Sequence, residues 1–172
     1  MMYRIEKVLN HNTVMAIHQD DHKEVLIMGK GVGFGRKVAE RIEVRPEDRL
    51  YSLQKYKERG GAKEIVKSIA PEFLEVTNAV LDEAEKIFGK IDRMVLFPLA
   101  DHIAFAVKRI QNHEQISNPL TEDIRVLFHM EFKVAESNRP LLKKQFQIDI
   151  EDDEIGYVAL RIHSAKEDEK VS

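Results

Sequence analysis

The residues of this 172-residue chain that can do chemistry fall into two groups: a basic glycine-rich segment near the start, and histidines set in apolar patterns further on. Gly29-Lys30-Gly31-Val32-Gly33-Phe34-Gly35 holds four of the eight glycines at alternate positions. Alternating glycines let a backbone approach a partner closely and adopt positive φ angles. With Lys30, Arg36 and Lys37 nearby, such a segment can cradle phosphates. It is not a mononucleotide phosphate loop, because no Gly-Lys-Ser/Thr ending is present. It is not a dinucleotide fingerprint either, because Arg36 stands where the third glycine belongs. A nucleic-acid surface asks instead for cations, amides and an exposed aromatic to stack on bases. Lys7, Asn10, Asn12, Lys30, Phe34 and Arg36 supply that mix. The residues alone leave a second reading open, a glycine-rich hairpin with Phe34 in the core.

Short strands must position that segment. Tyr3–Leu9, Thr13–His18 and Glu24–Met28 are rich in Val, Ile, Met and Tyr, and polar turns at Asn10-His11-Asn12 and Gln19-Asp20-Asp21-His22 separate them. The connections are too short for parallel crossovers, so the expected arrangement is a small antiparallel sheet. Glu40–Val44 and Arg49–Leu53 can complete it. From about Lys63 the period changes to that of helices. Pro71 marks a helix start, and Phe73, Val76, Val80, Ala84 and Ile87 follow at spacings of three and four before Gly89. A second helix runs from near Pro98 through His102 to Ile110, and Asn118-Pro119 opens a third. Glu131–Phe146 reads as helix divided at Pro140, and Glu154–Ala165 as the last helix. The expected fold is therefore two domains, a small antiparallel β-sheet module followed by an all-α helical bundle. The expected boundaries are 1–57, a linker at 58–64 where Arg59-Gly60-Gly61 breaks both patterns, and 65–172.

Charge divides at the same place. Residues 1–57 carry 11 Lys+Arg against 8 Asp+Glu, whereas the remainder carry 16 against 22. A basic head on an acidic body suggests a polyanion-binding module joined to something else. Cysteine is absent, which excludes disulfides and thiolate metal sites. Apolar runs are only a handful of residues long, so no membrane insertion and a cytoplasmic location are expected. A β module of about 57 residues buries little surface by itself, and a two-fold homodimer is the simplest remedy.

Lys7-Val8-Leu9-Asn10-His11-Asn12 followed by Met28-Gly29-Lys30-Gly31-Val32-Gly33-Phe34 resembles the co-antiterminator RNA-binding domain of the BglG/SacY family of transcriptional antiterminators. Leu99-Ala100-Asp101-His102-Ile103 through Arg109, and Glu154-Ile155-Gly156-Tyr157-Val158-Ala159-Leu160, resemble the two signature helices of its regulatory domain, which the sugar phosphotransferase system phosphorylates on histidine. The resemblance spans roughly residues 3 to 167 and is nearest to the glucose-responsive branch. Members usually carry two regulatory domains, and the sequence here contains one. The resemblance implies RNA contacts from Lys7, Asn10, Asn12, Gly29, Lys30, Gly31 and Phe34, with Arg36 and Lys37 on phosphates. It implies a homodimer that clamps a hairpin in a nascent mRNA leader, and phosphotransferase-system proteins as phosphoryl donors. It implies no catalytic residues, metal or other cofactor.

The same resemblance singles out His102 as a phosphoryl acceptor. The family's second acceptor position is filled here by Arg161, and His163 lies two residues further on, about 200° around a helix. His102 and His163 are therefore the candidate phosphorylation sites, with Arg161 a candidate partner for phospho-His102. Two other classes compete: a protein-interaction module, and a small metal-dependent enzyme using Asp101, His102 and His163.

Overall fold

The computed structural model describes residues 1–53, 61–114 and 117–171. The chain divides into two compact units, Met1–Pro71 and Glu72–Ser172. Part of the expected 58–64 linker lies outside the described residues.

The first unit is built on a five-stranded antiparallel sheet. β1 (Met2–Asn10), β2 (Thr13–His18) and β3 (Glu24–Met28) form a meander, with β4 (Arg41–Glu43) on the β1 edge and β5 (Arg49–Ser52) on the β3 edge. Tyr3, Ile5, Val14, Ala16, Val25, Ile27, Val32 and Ile42 make one core, with Val8 packed against it. Ile5 and Val8 are an odd number of residues apart and would face opposite ways in a regular strand. A register shift between Ile5 and Lys7 resets the alternation, so Val8 joins the core while Lys7 is exposed. Met15, Leu26 and Met28 alternate with the core residues and are buried as well, so the two central strands are covered on both faces. A helix, α1 (Ala62–Ser68), belongs to this unit. Lys63 at its start is paired with Glu24 at 2.7 Å, and Ile65 and Val66 are buried. The sheet module thus extends past the break in pattern at Gly60-Gly61.

The second unit is helical: α2 (Pro71–Phe88), α3 (Leu96–Gln111), α4 (Thr121–Leu127), α5 (His129–Ala135), α6 (Asn138–Phe146) and α7 (Asp152–Val171). Pro71 is the first residue of α2, where its missing N–H costs nothing. Gly89 follows the helix with φ 80°, a conformation that favours glycine. The stretch around Pro140 is split as expected into the end of one helix and the start of another: the break falls at Glu136-Ser137, and Pro140 occupies the first turn of α6, where no intrahelical donor is needed. α7 packs on α3, α4 and α5, and its acidic start at Asp152-Asp153-Glu154 suits the positive end of the helix dipole. Leu74, Leu81, Phe97, Leu99, Ile103, Leu142, Ile155 and Ile162 are fully buried. No helix among the described residues is long and apolar enough to cross a membrane.

Candidate functional site

In the first unit, the β1–β2 turn and the glycine segment are stitched together by backbone and asparagine groups. The Gly33 amide donates to the His11 carbonyl at 2.8 Å, and the Gly29 amide donates to the Asn12 carbonyl at 3.0 Å. The Asn12 side-chain oxygen accepts from the Gly31 amide at 2.8 Å, while the Asn10 side-chain oxygen accepts from the Asn12 amide at 2.9 Å. Both amide oxygens therefore shape the turn. A Cβ on Gly33 would lie 2.2 Å from the Asn10 carbonyl oxygen, so only glycine allows these two loops to approach so closely. Gly31 is needed for a different reason, its φ of 73°.

That clasp displays Phe34. Its ring is 67% exposed and meets His11 edge-on, with centroids 5.0 Å apart. The alternative of a core Phe34 is thereby set aside. Lys7, Lys30 and Lys37 are exposed. Arg36 is bound to Glu40 at 2.8 Å, so a phosphate would have to compete for it. Arg45, which no motif singles out, donates to the Lys30 carbonyl at 2.8 Å and pairs with Asp48, bracing the segment from behind. His11, whose place in the polar β1–β2 turn suits a solvent-facing or RNA-facing role, is exposed beside Phe34.

In the second unit, the two candidate histidines occupy separate clusters of the same design. His102 lies on α3, and its Nε2 is 2.9 Å from Oε2 of Glu154 on α7. The other oxygen of Glu154 accepts at 2.8 Å from Arg109, seven residues after His102 and so on the same face of α3. The Tyr157 ring stacks on the His102 ring at 3.6 Å, and Arg161 donates to the Tyr157 hydroxyl at 2.7 Å. Arg161, standing where a histidine is usual, thus reaches His102 through Tyr157. Burial pushes the Glu154 carboxyl up, but its bonds to His102 and Arg109 outweigh this and hold it below the ordinary glutamate range.

His163 repeats the pattern with other partners. Its Nδ1 lies 2.8 Å from Oε2 of Glu131 on α5, Lys166 donates to the same oxygen at 3.0 Å, and Phe128 stacks on the ring at 4.0 Å. Burial raises the Glu131 carboxyl too, and the His163 and Lys166 bonds again bring it below the ordinary range. Glu154 could be suspected from sequence, as an acid opening an apolar helix seven residues before Arg161. Glu131 could not, since nothing local ties it to a histidine 32 positions away. The competing set Asp101, His102 and His163 does not converge: Asp101 is exposed, and the two histidines bind different carboxylates. Among the described residues no group of three or more His, Cys, Asp or Glu is arranged to hold a metal ion.

Comparison with known proteins covers both units. Residues 3–60 match the family described as CAT RNA binding domain, and residues 75–165 match the PRD domain. The GlcA/glcB genes antiterminator of Staphylococcus carnosus is 33% identical over 170 residues, covering 96% of this chain and 58% of the relative. Protein GlcT of Staphylococcus epidermidis is 29% identical over 175 residues, covering 99% of this chain and 60% of the relative. The chain thus spans about three-fifths of the length of these curated relatives. The crystal structure of GlcT CAT-PRDI superposes with a TM-score of 0.79 at 30% identity, over 96% of this chain and 98% of that one.

Proposed function

This chain belongs to the PRD-domain family, with a CAT RNA binding domain ahead of the PRD domain, and from that premise we propose that it is an RNA-binding transcriptional antiterminator controlled by histidine phosphorylation. Two sheet modules, paired as a homodimer, clamp an imperfect hairpin in a nascent mRNA leader and keep an overlapping terminator from forming. The observation that carries this reading is Phe34, held exposed on a turn that glycines and two asparagines make rigid. A ring with no core to fill, beside His11, offers a stacking surface to bases in an internal loop. Lys7, Lys30 and Lys37 supply phosphate contacts, Arg36 adds one on release from Glu40, and Asn10 and Asn12 contribute contacts to base edges or ribose. The backbone at Gly29 and Gly31 lets the RNA approach.

The helical unit is the switch. His102 is the acceptor on which phosphotransferase-system proteins place a phosphoryl group, and His163 is a second one. The reaction moves PO3 from a donor's phosphohistidine or phosphocysteine to an imidazole lone pair, and the donor side chain leaves. A dianion then stands beside Glu154 at the seam of α3 and α7. Like charges at this distance repel, and Arg109, now holding Glu154, is the cation that can turn to the phosphate. Glu154 and α7 must then shift, and the dimer is disfavoured. The chain acts as a cytoplasmic regulator in this scheme and not as an enzyme.

Binding of the full chain to an imperfect RNA hairpin tests the reading. Affinity should fall steeply with salt and drop in Phe34→Ala and Lys7→Ala. Equal affinity of Phe34→Ala and the unaltered chain would remove the stacking role and, with it, this assignment.

A further inference from the structure

The end of the sheet opposite the glycine clasp carries charge that the RNA surface does not use. Along one row across the sheet, Arg41 on β4, Arg4 on β1, Ile17 on β2 and Glu24 on β3 are successive partners. Directly opposite residues share a face, and like charges so placed destabilise a strand pair. The acid on that row does not compensate, because Glu24 is held by Lys63. Beyond the strand ladder, neither the Arg4 nor the Arg41 guanidinium has a hydrogen bond or ion pair among the described residues. Both guanidiniums are exposed, yet they border a cavity of about 150 Å3 whose other lining residues are Ile17, His18, Gln19 and His22.

The rim is arranged with similar bias. His22 has a φ of 57°, a left-handed conformation unusual for a residue other than glycine, and its amide donates to the His18 carbonyl at 3.0 Å. This fold of the turn holds two imidazoles beside two guanidiniums. The nearby Asp21 is already engaged: its amide donates to His18 Nδ1 at 3.4 Å, its carboxylate lies 3.0 Å from the same nitrogen, and that carboxylate accepts from the Lys23 amide at 3.0 Å. Asp21 therefore fixes the His18 ring and leaves the arginines unneutralised.

We propose that this cavity is an oxyanion site that takes a phosphate group between Arg4 and Arg41, with His18 and His22 on its rim. The volume equals about five waters, enough for a phosphate and part of its carrier. Two guanidinium forks match phosphate oxygens in charge and geometry. The group is either a phosphodiester of bound RNA or a small phosphomonoester, and the experiment separates them.

The full chain is titrated with inorganic phosphate at constant ionic strength, chloride serving as control, and the His18 and His22 ring signals are followed by NMR. A saturable shift that chloride does not produce, and that Arg4→Gln and Arg41→Gln abolish, is expected. In the second arm, binding of an imperfect RNA hairpin is measured against salt in the same variants. If the phosphate belongs to RNA, the log–log salt slope falls by about one when the site is lost, in the double variant as in the more damaging single one. If it belongs to a small molecule, the slope holds and glucose 6-phosphate outcompetes inorganic phosphate. Removing one of two opposed cations should leave the thermal midpoint unchanged or raised, so misfolding would not mask the result. A phosphate shift equal to that of chloride, or one surviving in both variants, overturns the site. The first arm needs no RNA and stands apart from the antiterminator reading.

Discussion

Oε2 of Glu154 lies 2.9 Å from Nε2 of His102, with Glu154 buried to 7% exposure between α7 and α3. Because the carboxyl is held below the ordinary glutamate range, it is ionised and can only accept. His102 must then carry its proton on Nε2, which leaves the lone pair on Nδ1. At His163 the carboxylate of Glu131 meets Nδ1 instead, so that nitrogen carries the proton facing it. The two rings are expected to donate to their glutamates from opposite nitrogens. Long-range proton–nitrogen NMR of the unphosphorylated chain at pH 8 reads this directly. The same tautomer at both positions would contradict it.

Replacing Glu154 by Gln keeps the shape of the side chain but removes its charge. His102 then loses the anion that orients its ring, and Arg109 loses its partner. A hydrogen bond to a charged group is worth about 1.5–3 kcal/mol, so phosphoryl labelling of His102 should slow by about tenfold or more. The measurement uses purified phosphotransferase proteins and a His163→Ala background, so that one acceptor is read. Labelling at the unaltered rate would leave Glu154 no positioning role.

The glycine clasp separates two kinds of glycine requirement. Gly33→Ala places a methyl 2.2 Å from the Asn10 carbonyl, which is backbone and cannot swing aside. Gly31→Ala meets no atom within 4 Å and suffers only its left-handed φ, about 1–2 kcal/mol. Calorimetry should find the larger loss of thermal midpoint in Gly33→Ala. RNA affinity should follow the same order, because the Gly33–His11 bond sets the distance between Phe34 and the β1–β2 turn.

Much of this arrangement was legible in the residues. Strand alternation and polar turns located the five strands, and the three-four spacing located α2, α3 and α7, because both patterns are local consequences of burying one face. α1 was harder to place, since Lys63 owes its position to Glu24, 39 residues earlier. Pro140 marked the split between α5 and α6, and only the exact break, three residues earlier, was not legible, because proline is tolerated throughout a first turn where no N–H is needed. The motifs pointed to His102 and Phe34, but Glu131 and the bracing role of Arg45 arise from tertiary contacts that no spacing encodes. The asparagines illustrate the same limit: their type suggested base contacts, and the fold commits their oxygens to the turn.

Acid should act on the helical unit through the same two carboxylates. Glu154 and Glu131 both lie below the ordinary glutamate value of 4.5, despite burial, because histidine and a second cation bind each of them. A carboxyl whose folded pKa is depressed contributes stability that is fully present above its unfolded pKa. That contribution is lost as pH falls through the folded value, since the unfolded chain then binds a proton first. The unit should hold its stability down to the ordinary glutamate value and lose it progressively at lower pH. Glu131→Gln and Glu154→Gln together should be less stable than the unaltered chain at pH 7 and should lose less on acidification. Urea unfolding followed by helical circular dichroism at pH 7, 5 and 3.5 gives the comparison. The gap between the two proteins should narrow toward low pH, where both side chains are uncharged. A gap of constant size would mean that the two buried glutamates act through shape and packing, and that their charge has no part in holding His102 and His163.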